Sequence, residues 1–495
     1  MWLFSLAWLL LLLAARSSLA LVIRARPDPA HLNGWPAMGA TAMTATAISI
    51  PRAKASGTLE NIQGRYVTTI SLNGRDFRVA IDTGSSDLWV LTSPEFQYSD
   101  TALPVEIDYV DGEVDGTVGF ASMQLGGYTF VNVSFIDFES IVDLGLDGLI
   151  GLSFDGSASD IASVLAEQNM SGGEPFLSNV MDPEQDNFFA LSLSRTDDLE
   201  GSADASFTIN ELDEKYDGIT DAPKIPLFPG DNGRWSIVVD ALTVDGKDIP
   251  LVSTVPNAPN GSLVVLMDTG TPTATLPADL LYALYSHIPG ASVSVDDDLM
   301  WFAVPCNTSA IITVFIGGLP YPIHPLDLAE IQTGVDTNGN NFDALFGGTF
   351  MRNAYSVFNF GDSVGKSSSG PASIQLLSQT DPRSAAADVQ NVRMAQLANF
   401  PPEFDGTLPD FLPVSPGSSR PANTNTSAIR TSSGISNTSE FSASDESRVR
   451  RYALIMLVVL VLGATGYSLY VKRSGMTSVS IRTPQYIPVE MREEV

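Results

Sequence analysis

The sequence predicts an all-β domain over residues 60–380. Short stretches rich in Val, Ile, Phe and Thr alternate there with turns rich in Gly, Asp and Asn, which is typical of many short strands. Two segments favour helices, Asp160–Gln168 and Pro277–His287. The chain has 495 residues, 44% of them hydrophobic, and is long enough to bury a large core. The clearest predicted strands are Arg65–Leu72, Phe77–Ile81, Gly116–Leu125, Phe188–Leu193, Trp235–Val244, Ala310–Ile316 and Tyr355–Phe360.

The charge balance and the cysteine content narrow the class of protein. Acidic residues number 57 against 26 basic ones, and the net charge of −31 repels phosphate backbones, so we expect no nucleic-acid partner. The single cysteine, Cys306, excludes an intrachain disulfide. We interpret it as a small buried hydrophobe, with a reactive thiol as the alternative. The three histidines, His31, His287 and His324, lie far apart, so we expect no metal site.

The N-terminal region predicts secretion. Residues 1–20 are an apolar run followed by small residues and ending in Ser-Leu-Ala, which favours a signal peptide; a membrane anchor is the alternative. Residues 21–56 are rich in Pro, Ala and Thr and carry four basic residues, so we expect a poorly structured pro-segment there, as in a zymogen.

The C-terminal region predicts a membrane anchor. Residues 381–451 are rich in Pro, Ser, Thr and Asn, a composition typical of a flexible, glycosylated stalk. Residues 452–471 carry no charged side chain and are long enough for a transmembrane helix, with 472–495 as a cytoplasmic tail. A GPI signal is the alternative, but it would end in its apolar tail. We therefore expect a single-pass type I protein of the cell surface or the endolysosomal or vacuolar system.

Two similar segments carry the chemistry. In each, an apolar run ends in Asp-Thr-Gly and a further hydroxyl residue: Asp82, Thr83, Gly84 and Ser85 in the first half, and Asp268, Thr269, Gly270 and Thr271 in the second. A lone Asp-Thr-Gly is best explained as an ordinary turn. Two copies with the same lead-in and the same following hydroxyl, about half the β-rich region apart, instead favour a paired site.

Two neighbouring carboxyl groups have the chemistry that peptide hydrolysis needs. One activates a water molecule while the other polarises the carbonyl and supplies a proton to the leaving amine. Like charges at short range do not both ionise, so the pair shares one proton and titrates as a unit. Glycine lets the backbone approach a carboxylate closely, and Thr and Ser hydroxyls hold it by hydrogen bonds. This mechanism requires no cofactor.

With these residues, the chain resembles the pepsin-like family of eukaryotic aspartic endopeptidases. The resemblance covers residues 60–380 and implies a bilobal fold with the active-site cleft between an N-lobe, 57–222, and a C-lobe, 223–380. It implies that Asp82 and Asp268 are the catalytic pair. It also implies that the threonines of the two motifs brace the loops against each other, and that Ser85 and Thr271 bond the outer carboxylate oxygens.

Further segments match the same family in order. Tyr109, Val110 and Asp111 open a stretch that resembles the flap, a hairpin that closes over substrate, and the resemblance implies a bond between the Tyr109 hydroxyl and the Trp89 indole. Residues 147–152 and 345–353 resemble the segments packed behind the two catalytic loops.

Several features depart from the family pattern. The rim between Trp89 and Tyr109 is short and lacks the usual disulfide loop, and Cys306 lacks the partner that relatives have. Pro272 replaces a Ser or Thr, which puts a contact to the substrate backbone in doubt. Gly348 replaces a common Asp, for which we expect a less acidic pH optimum.

The sequence therefore predicts an aspartic endopeptidase that hydrolyses peptide bonds of proteins at acidic pH, which substitution of the two aspartates would test. The alternative is a catalytically inactive surface binding module on the same scaffold. We expect a monomer with protein or peptide substrates. Arg448–Arg451 resembles a processing site, with a plain juxtamembrane basic cluster as the favoured alternative. Glycosylation is expected at several of the sequons Asn132, Asn169, Asn260, Asn307, Asn425 and Asn437.

Overall fold

A computed structural model gives the fold of the chain. It describes residues 46–47, 56–62, 64–109, 112–126, 128–138, 146–154, 159–181, 187–195, 205–230, 233–296, 299–305, 307–333, 341–363, 370–397 and 412–417.

Strands make up most of the regular structure of these residues, and short helices lie between them. The strands up to residue 209 are β1 Thr46–Ala47, β2 Ser56–Thr58, β3 Glu60–Ile62, β4 Arg65–Leu72, β5 Arg75–Asp82, β6 Leu88–Val90, β7 Ser99–Tyr109, β8 Gly112–Leu125, β9 Tyr128–Phe138, β10 Gly148–Gly151, β11 Phe188–Ser192 and β12 Ser206–Ile209. Those that follow are β13 Ile225–Pro226, β14 Ser236–Val239, β15 Ala241–Val244, β16 Lys247–Ile249, β17 Leu263–Met267, β18 Ala274–Leu276, β19 Ser292–Asp296, β20 Leu299–Ala303, β21 Ile312–Ile316, β22 Leu319–Ile323, β23 Ile331–Thr333, β24 Ala344–Phe346, β25 Ala354–Asn359, β26 Ser373–Ser378 and β27 Leu412–Pro413. The helices are α1 Asp160–Glu167, α2 Phe176–Val180, α3 Ala278–Ser286, α4 Gly348–Met351 and α5 Pro382–Leu397, with 3₁₀ turns at Glu214–Asp221, Pro325–Glu330 and Gly361–Ser363.

The first half of the chain forms a nine-stranded sheet in the order β1-β9-β6-β10-β5-β4-β8-β7, with β3 paired to β4. Its apolar positions face a core in which Tyr66, Ile70 and Phe135 are fully buried. Strands β7 and β8 form a long antiparallel hairpin whose last described pair is Tyr109 opposite Gly112. The stretch that resembles a flap is therefore a hairpin up to this pair.

A six-stranded sheet joins the two halves of the chain. Its order is β13-β26-β25-β11-β12-β2, so three strands from residues 225–378 lie beside three strands from residues 56–209, and the two groups meet where β25 pairs with β11. Phe189 of β11 stacks on Phe358 of β25 with ring centroids 4.6 Å apart. The halves thus share one hydrogen-bonded layer and one apolar core. The lobe border at residues 222 and 223 stays a prediction.

The second half repeats the strand arrangement of the first around its motif. In the first half, β10 lies between β5, its parallel partner, and β6, its antiparallel partner. In the second half, β24 lies between β17, parallel, and β18, antiparallel. This repeat places the ends of β5 and β17, where the two Asp-Thr-Gly motifs lie, in equivalent positions.

The sequence-based element predictions agree closely with the structure. Arg65–Leu72 is β4 with the same bounds, and the two predicted helices are present as α1 and α3, each shorter by one or two residues. The predicted strand Trp235–Val244 is divided at Asp240 into β14 and β15, which belong to different sheets. The division follows because the Asp240 N–H bonds to the Phe315 carbonyl of the second sheet, at 2.8 Å.

The prediction of a flexible stalk from residue 381 onwards was wrong for its first part. Residues 382–397 form helix α5, in which Val389 and Val392 pack against Leu326. Residues 412–413 add strand β27 to the edge of β19, and Val414 is buried beside it. The average composition of the segment hid an Ala-rich stretch with apolar residues at helical spacing, which is enough to dock a helix. From residue 418 onwards the predicted stalk lies outside the described residues.

The N-terminal segment also departs from the expectation in one place. Thr46 and Ala47, within the predicted pro-segment, pair antiparallel with Val131 and Phe130 of β9. The remaining residues of 1–45 and 48–55, with the predicted signal peptide, lie outside the described residues, as do Cys306, the predicted span 452–471, the tail 472–495 and Arg448–Arg451. Among the described residues, none of the helices combines the length and apolar character needed to cross a bilayer.

Candidate active site

The first motif lies where a buried strand ends. Strand β5 ends at Asp82, which stands opposite Gly151 of the parallel strand β10. The Leu152 N–H donates to the Asp82 carbonyl at 2.7 Å, and the Ser153 N–H donates to the Ser85 carbonyl at 2.9 Å. The segment behind the loop therefore holds its backbone in place on both sides of the tripeptide.

The second motif is held in the same way. Strand β17 ends at Met267, paired with Phe346 of β24, and the Asp268 N–H donates to the Phe346 carbonyl at 3.0 Å. The Gly348 N–H donates to the Thr271 carbonyl at 2.9 Å. The two aspartates thus project from equivalent loops.

The structure brings the two carboxyl groups together. Asp82 is 5% exposed and Asp268 is 9% exposed, and a side-chain hydrogen bond joins them. Burial, the negative charge of Asp82 and this hydrogen bond raise the pKa of Asp268 well above its usual range. One proton is consequently retained between the two groups over a wide pH range.

The glycines of the motifs make this approach sterically possible. A Cβ on Gly84 would lie 2.6 Å from Asp268 Oδ1, and a Cβ on Gly270 would lie 2.5 Å from Asp82 Oδ1. Each glycine N–H also donates to the Oδ1 of its own motif's aspartate, at 2.8 Å and 2.9 Å. Any side chain at either position would displace the opposite carboxylate.

Hydroxyl groups hold the other carboxylate oxygens. Ser85 Oγ donates to Asp82 Oδ2. Thr271 Oγ1 donates to Asp268 Oδ2 at 2.7 Å. Each carboxylate is therefore bonded at both oxygens, which fixes its plane toward its partner.

The motif threonines link the two loops directly. Thr83 Oγ1 donates to the Met267 carbonyl at 2.7 Å and accepts from the Thr269 N–H at 3.0 Å. Thr269 Oγ1 donates to the Ile81 carbonyl at 2.9 Å and accepts from the Thr83 N–H at 3.0 Å. These four buried bonds make one symmetric brace, and through it neither loop can shift without the other.

The other predicted substrate-binding residues are described only in part. Trp89 lies in β6, partly exposed, and packs against the cluster that contains Val105 and Ile136. Tyr109 ends β7, while Val110 and Asp111 lie outside the described residues. The implied contact between Tyr109 and Trp89 stays a prediction.

The unusual residues of the second loop pack against the first half of the chain. A Cβ on Gly64, which has φ +86°, would lie 2.7 Å from Pro272 Cβ, so the proline ring sits on this glycine turn. A Cβ on Gly348 would lie 2.9 Å from the Pro272 carbonyl and 3.3 Å from the Tyr66 ring. Position 348, for which the resemblance implies a common Asp, has little room here for a side chain.

Asp87 supports the first loop, a role that we did not predict from the sequence. It is 4% exposed and accepts bonds from Ser159 Oγ at 2.7 Å and from the Asp160 N–H at 2.6 Å, at the start of α1. Burial raises the pKa of Asp87 to about 6, and burial with the Asp87 charge raises that of Asp160 to about 7. The sequence offers one signal, a serine at the start of a predicted helix, which is typical of an N-cap. It does not show that Asp87, 72 residues earlier in the chain, is the partner of that serine.

The candidate glycosylation sites are described only in part, and the sequence predicts no metal site. Asn169, Asn260 and Asn307 are exposed, and Asn132 lies in β9. Asn425 and Asn437 fall outside the described residues. Over the described ranges, no three His, Cys, Asp or Glu side chains gather into a group that would hold a metal ion.

Comparison with known proteins assigns the family. The family described as "Eukaryotic aspartyl protease" matches residues 65–367, more than half of the chain and both motifs. The chain belongs to this family.

Individual relatives are distant but cover most of the folded region. Pepsin A of Sus scrofa is 26% identical over 343 residues, which is 61% of this chain and 80% of that protein. Cathepsin E of Oryctolagus cuniculus is 26% identical over 336 residues, 60% of this chain and 78% of that protein. The aspartic-type endopeptidase ctsD of Aspergillus fumigatus is 26% identical over 338 residues, 61% of this chain and 65% of that protein. The chain thus shares the framework of aspartic proteases.

Proposed function

We propose that this aspartic protease homologue is an active endopeptidase whose catalytic residues are Asp82 and Asp268. The observation that carries the proposal is the buried, hydrogen-bonded pair of carboxyl groups, each held at both oxygens. Holding two acids this close costs free energy, because both are removed from water and repel each other when ionised. A protein that needed only a binding surface would gain nothing from this arrangement.

The mechanism follows from the shared proton. In the singly protonated pair, the ionised carboxylate removes a proton from a water molecule as that water attacks the peptide carbonyl. The protonated carboxyl hydrogen-bonds the carbonyl oxygen as it gains negative charge. The proton taken from water then passes from its carboxyl group to the amide nitrogen, and the C–N bond breaks. Neither aspartate forms a covalent bond to the substrate, and the pair ends with one proton as it began.

Activity at acidic pH is part of the proposal. The mechanism requires one proton on the pair. The raised pKa of Asp268 keeps that proton bound at pH values well above those at which a carboxylic acid usually ionises. We expect the rate to fall at low pH as the second carboxyl group is protonated, and at high pH as the shared proton is lost. Gly348 in place of an acid supports an optimum toward the less acidic end.

Substitution of the two catalytic aspartates, Asp82 and Asp268 (the dyad), tests the activity directly. The purified full-length chain is assayed on a diverse peptide library between pH 3 and pH 7, beside Asp82→Asn and Asp268→Asn variants and an exposed control, Asp248→Asn. We expect cleavage by the wild type and the control, inhibition by a pepstatin-type peptide, and at least a 10³-fold loss in each dyad variant, on the order of other triad or dyad deletions. Cleavage that persists in both dyad variants, or none in the wild type, would refute the proposal; the latter would favour an inactive binding module.

We further propose that the chain is a monomeric type I membrane glycoprotein with a cell-surface or endolysosomal catalytic domain. The apolar run at 452–471 and the signal-like residues 1–20 support the topology, and the exposed Asn169, Asn260 and Asn307 support glycosylation. Protease protection of the tail in sealed vesicles and a mobility shift on glycosidase treatment are the checks. A tail that is accessible outside sealed cells would contradict the topology.

A further inference from the structure

A buried histidine lies where the C-terminal helix α5 docks. His324 is 5% exposed and directly precedes the 3₁₀ turn Pro325–Glu330. Leu326 of this turn packs against two valines of α5. Nε2 of His324 lies 3.9 Å from Oδ2 of Asp388, which belongs to the same helix. The imidazole ring is therefore part of the contact between α5 and the rest of the domain.

The hydrogen bonds of this ring define its protonation state. The Leu326 N–H donates to His324 Nδ1 at 3.2 Å, so the side chain caps the 3₁₀ turn. A ring nitrogen accepts a hydrogen bond only while it carries no proton. The proton of the neutral ring is therefore on Nε2, which has no hydrogen-bond partner within the described part of the chain, because Asp388 Oδ2 lies beyond hydrogen-bond distance. With α5 docked, the ring is neutral.

Charged groups from four elements lie around this ring. Asp388 faces it from α5, and the Asp327 N–H of the 3₁₀ turn donates to the His324 carbonyl at 2.9 Å. The Asp327 carboxylate accepts bonds at 2.8 Å from Arg195, which follows β11, and from Arg352, which follows α4. Two guanidinium groups thus already compensate the charge of Asp327. Burial and the positive charge of Arg195 lower the pKa of His324, and the two acids act in the opposite direction.

Protonation of the ring opposes the docking of α5. A proton on Nδ1 turns the acceptor of the Leu326 N–H into a second donor, so the capping bond is lost. It also adds a positive charge to a buried site that already holds Arg195. When α5 leaves, the ring meets water and gains its proton near the ordinary pKa of about 6.5. The undocked state then binds more protons than the docked state below that pH, so docking weakens as pH falls.

The same contact is bonded to the support of the second catalytic loop. The His324 N–H donates to Asn353 Oδ1 at 3.0 Å, and Asn353 Nδ2 donates to the Thr349 carbonyl at 2.8 Å. The Thr349 N–H donates to the carbonyl of Pro272, directly after the second motif, at 3.2 Å. The position where α5 docks is therefore two bonded residues away from that loop.

We propose that His324 is the acid-sensitive element of a latch that holds helix α5 on the folded domain at neutral pH and releases it on acidification. The apolar cluster of the contact is small, with Leu326, Val389 and Val392 as its buried members. A helix of 16 residues is marginal in water without such packing. Loss of the capping bond is therefore enough to shift the docking equilibrium. The proposal does not depend on the proposed endopeptidase function.

Hydrogen exchange followed by mass spectrometry tests the latch. The purified full-length chain, with a pepstatin-type peptide to suppress self-cleavage, is compared at pH 7.5 and pH 5, and the rates are corrected for the intrinsic effect of pH on exchange. We expect the protection of the α5 amides, Pro382–Leu397, to fall by about 10- to 30-fold at pH 5, the size set by an undocked histidine with a pKa of about 6.5. Strand β25, Ala354–Asn359, is the internal reference and should keep its protection.

Variants of the histidine assign the effect. His324→Asn keeps an acceptor for the Leu326 N–H, because asparagine is a favoured N-cap residue, and it does not titrate, so we expect α5 to stay docked at both pH values. His287→Asn is the matched control at a second described histidine, and it should leave the fall in protection as in the wild type. Asp388→Asn removes the only acid in the sequence of α5, so the protonated ring loses a counter-charge and the fall should be at least as large as in the wild type.

Three results would overturn the inference. One is a wild-type α5 whose corrected protection at pH 5 stays within threefold of that at pH 7.5. Another is an equal loss in α5 and β25, which would mean that the whole domain opens and that no latch is involved. The third is a His324→Asn protein with the pH dependence of the wild type. If His324→Asn does not fold, Asp388→Asn still decides, because a fall smaller than in the wild type contradicts the latch.

Discussion

The brace between the two loops predicts a linked loss of stability and activity. Thr83→Val keeps the size and the β-branching of the side chain and removes the hydroxyl. That hydroxyl is fully buried, donates to the Met267 carbonyl and accepts from the Thr269 N–H. The substitution therefore leaves one buried acceptor and one buried donor without their partner, at the base of both catalytic loops.

The expected magnitude follows from these two groups. A buried polar group left without its hydrogen bond costs about 1–3 kcal/mol, so the two together lower the free energy of unfolding by about 2–6 kcal/mol. The same change loosens the loops that hold the carboxyl groups together. Since a displacement of about 1 Å at a reacting centre costs on the order of 100-fold in rate, we expect kcat/KM to fall by a similar factor.

Urea unfolding and peptide cleavage at the pH optimum provide the two readouts. Thr83→Ser is the matched control, because it keeps the hydroxyl, and it is expected to retain most of the stability and rate. The double variant Thr83→Val/Thr269→Val should cost less than the sum of the single variants, since the two side chains belong to one bonded unit. A Thr83→Val protein within about 1 kcal/mol and threefold of the wild type would refute the reasoning, because a buried polar group left unbonded costs at least that much.

Three further predictions concern the close contact between the two catalytic carboxyl groups, the buried acids Asp87 and Asp160, and the C-terminal helix α5. Gly84→Ala places a Cβ 2.6 Å from the opposite carboxylate, so kcat/KM should fall at least 100-fold, on the scale of a misplacement of about 1 Å, with little change in the urea midpoint; an active variant would contradict the geometry. Burial raises the pKa of Asp160 to about 7 and that of Asp87 to about 6, so the folded chain keeps protons that the unfolded chain releases above about pH 4. The free energy of unfolding should therefore fall as pH rises from 4 to 7, and Asp160→Asn should flatten that fall; an unchanged slope in urea midpoints would argue against it. In α5, Ala385→Asp buries an unpaired charge and should lower the free energy of unfolding by about 2 kcal/mol or more, whereas Ala387→Asp on the exposed face should leave it unchanged; equal effects would mean that the helix does not dock.

The placement of the strands followed from the sequence because their signals are local. Strand β4 has the predicted bounds because every second residue from Tyr66 to Leu72 is buried and turn residues lie on both sides of the segment. Helices α1 and α3 were found for the same reason. The division at Asp240 was missed because a change of sheet depends on the partner strand, which lies more than 70 residues away along the chain.

The errors and omissions all involve distant partners. The helix Pro382–Leu397 is stabilised by packing on Leu326, and its own hydrophobic pattern is weak, so a composition average hid it. Asp87 is an ordinary acidic residue until Ser159 and the start of α1 are placed against it.

The sequence by itself determined the strand-rich fold class and the two Asp-Thr-Gly motifs, because strand periodicity and short motifs are encoded in neighbouring residues. Only the tertiary structure decided that the two motifs meet, that Thr83 and Thr269 brace both loops, and that Gly84 and Gly270 leave room for the opposite carboxylate. The physical reason is that these contacts join residues about half the domain apart. Their energies, and the raised pKa of Asp268, arise from burial and from the other half of the chain.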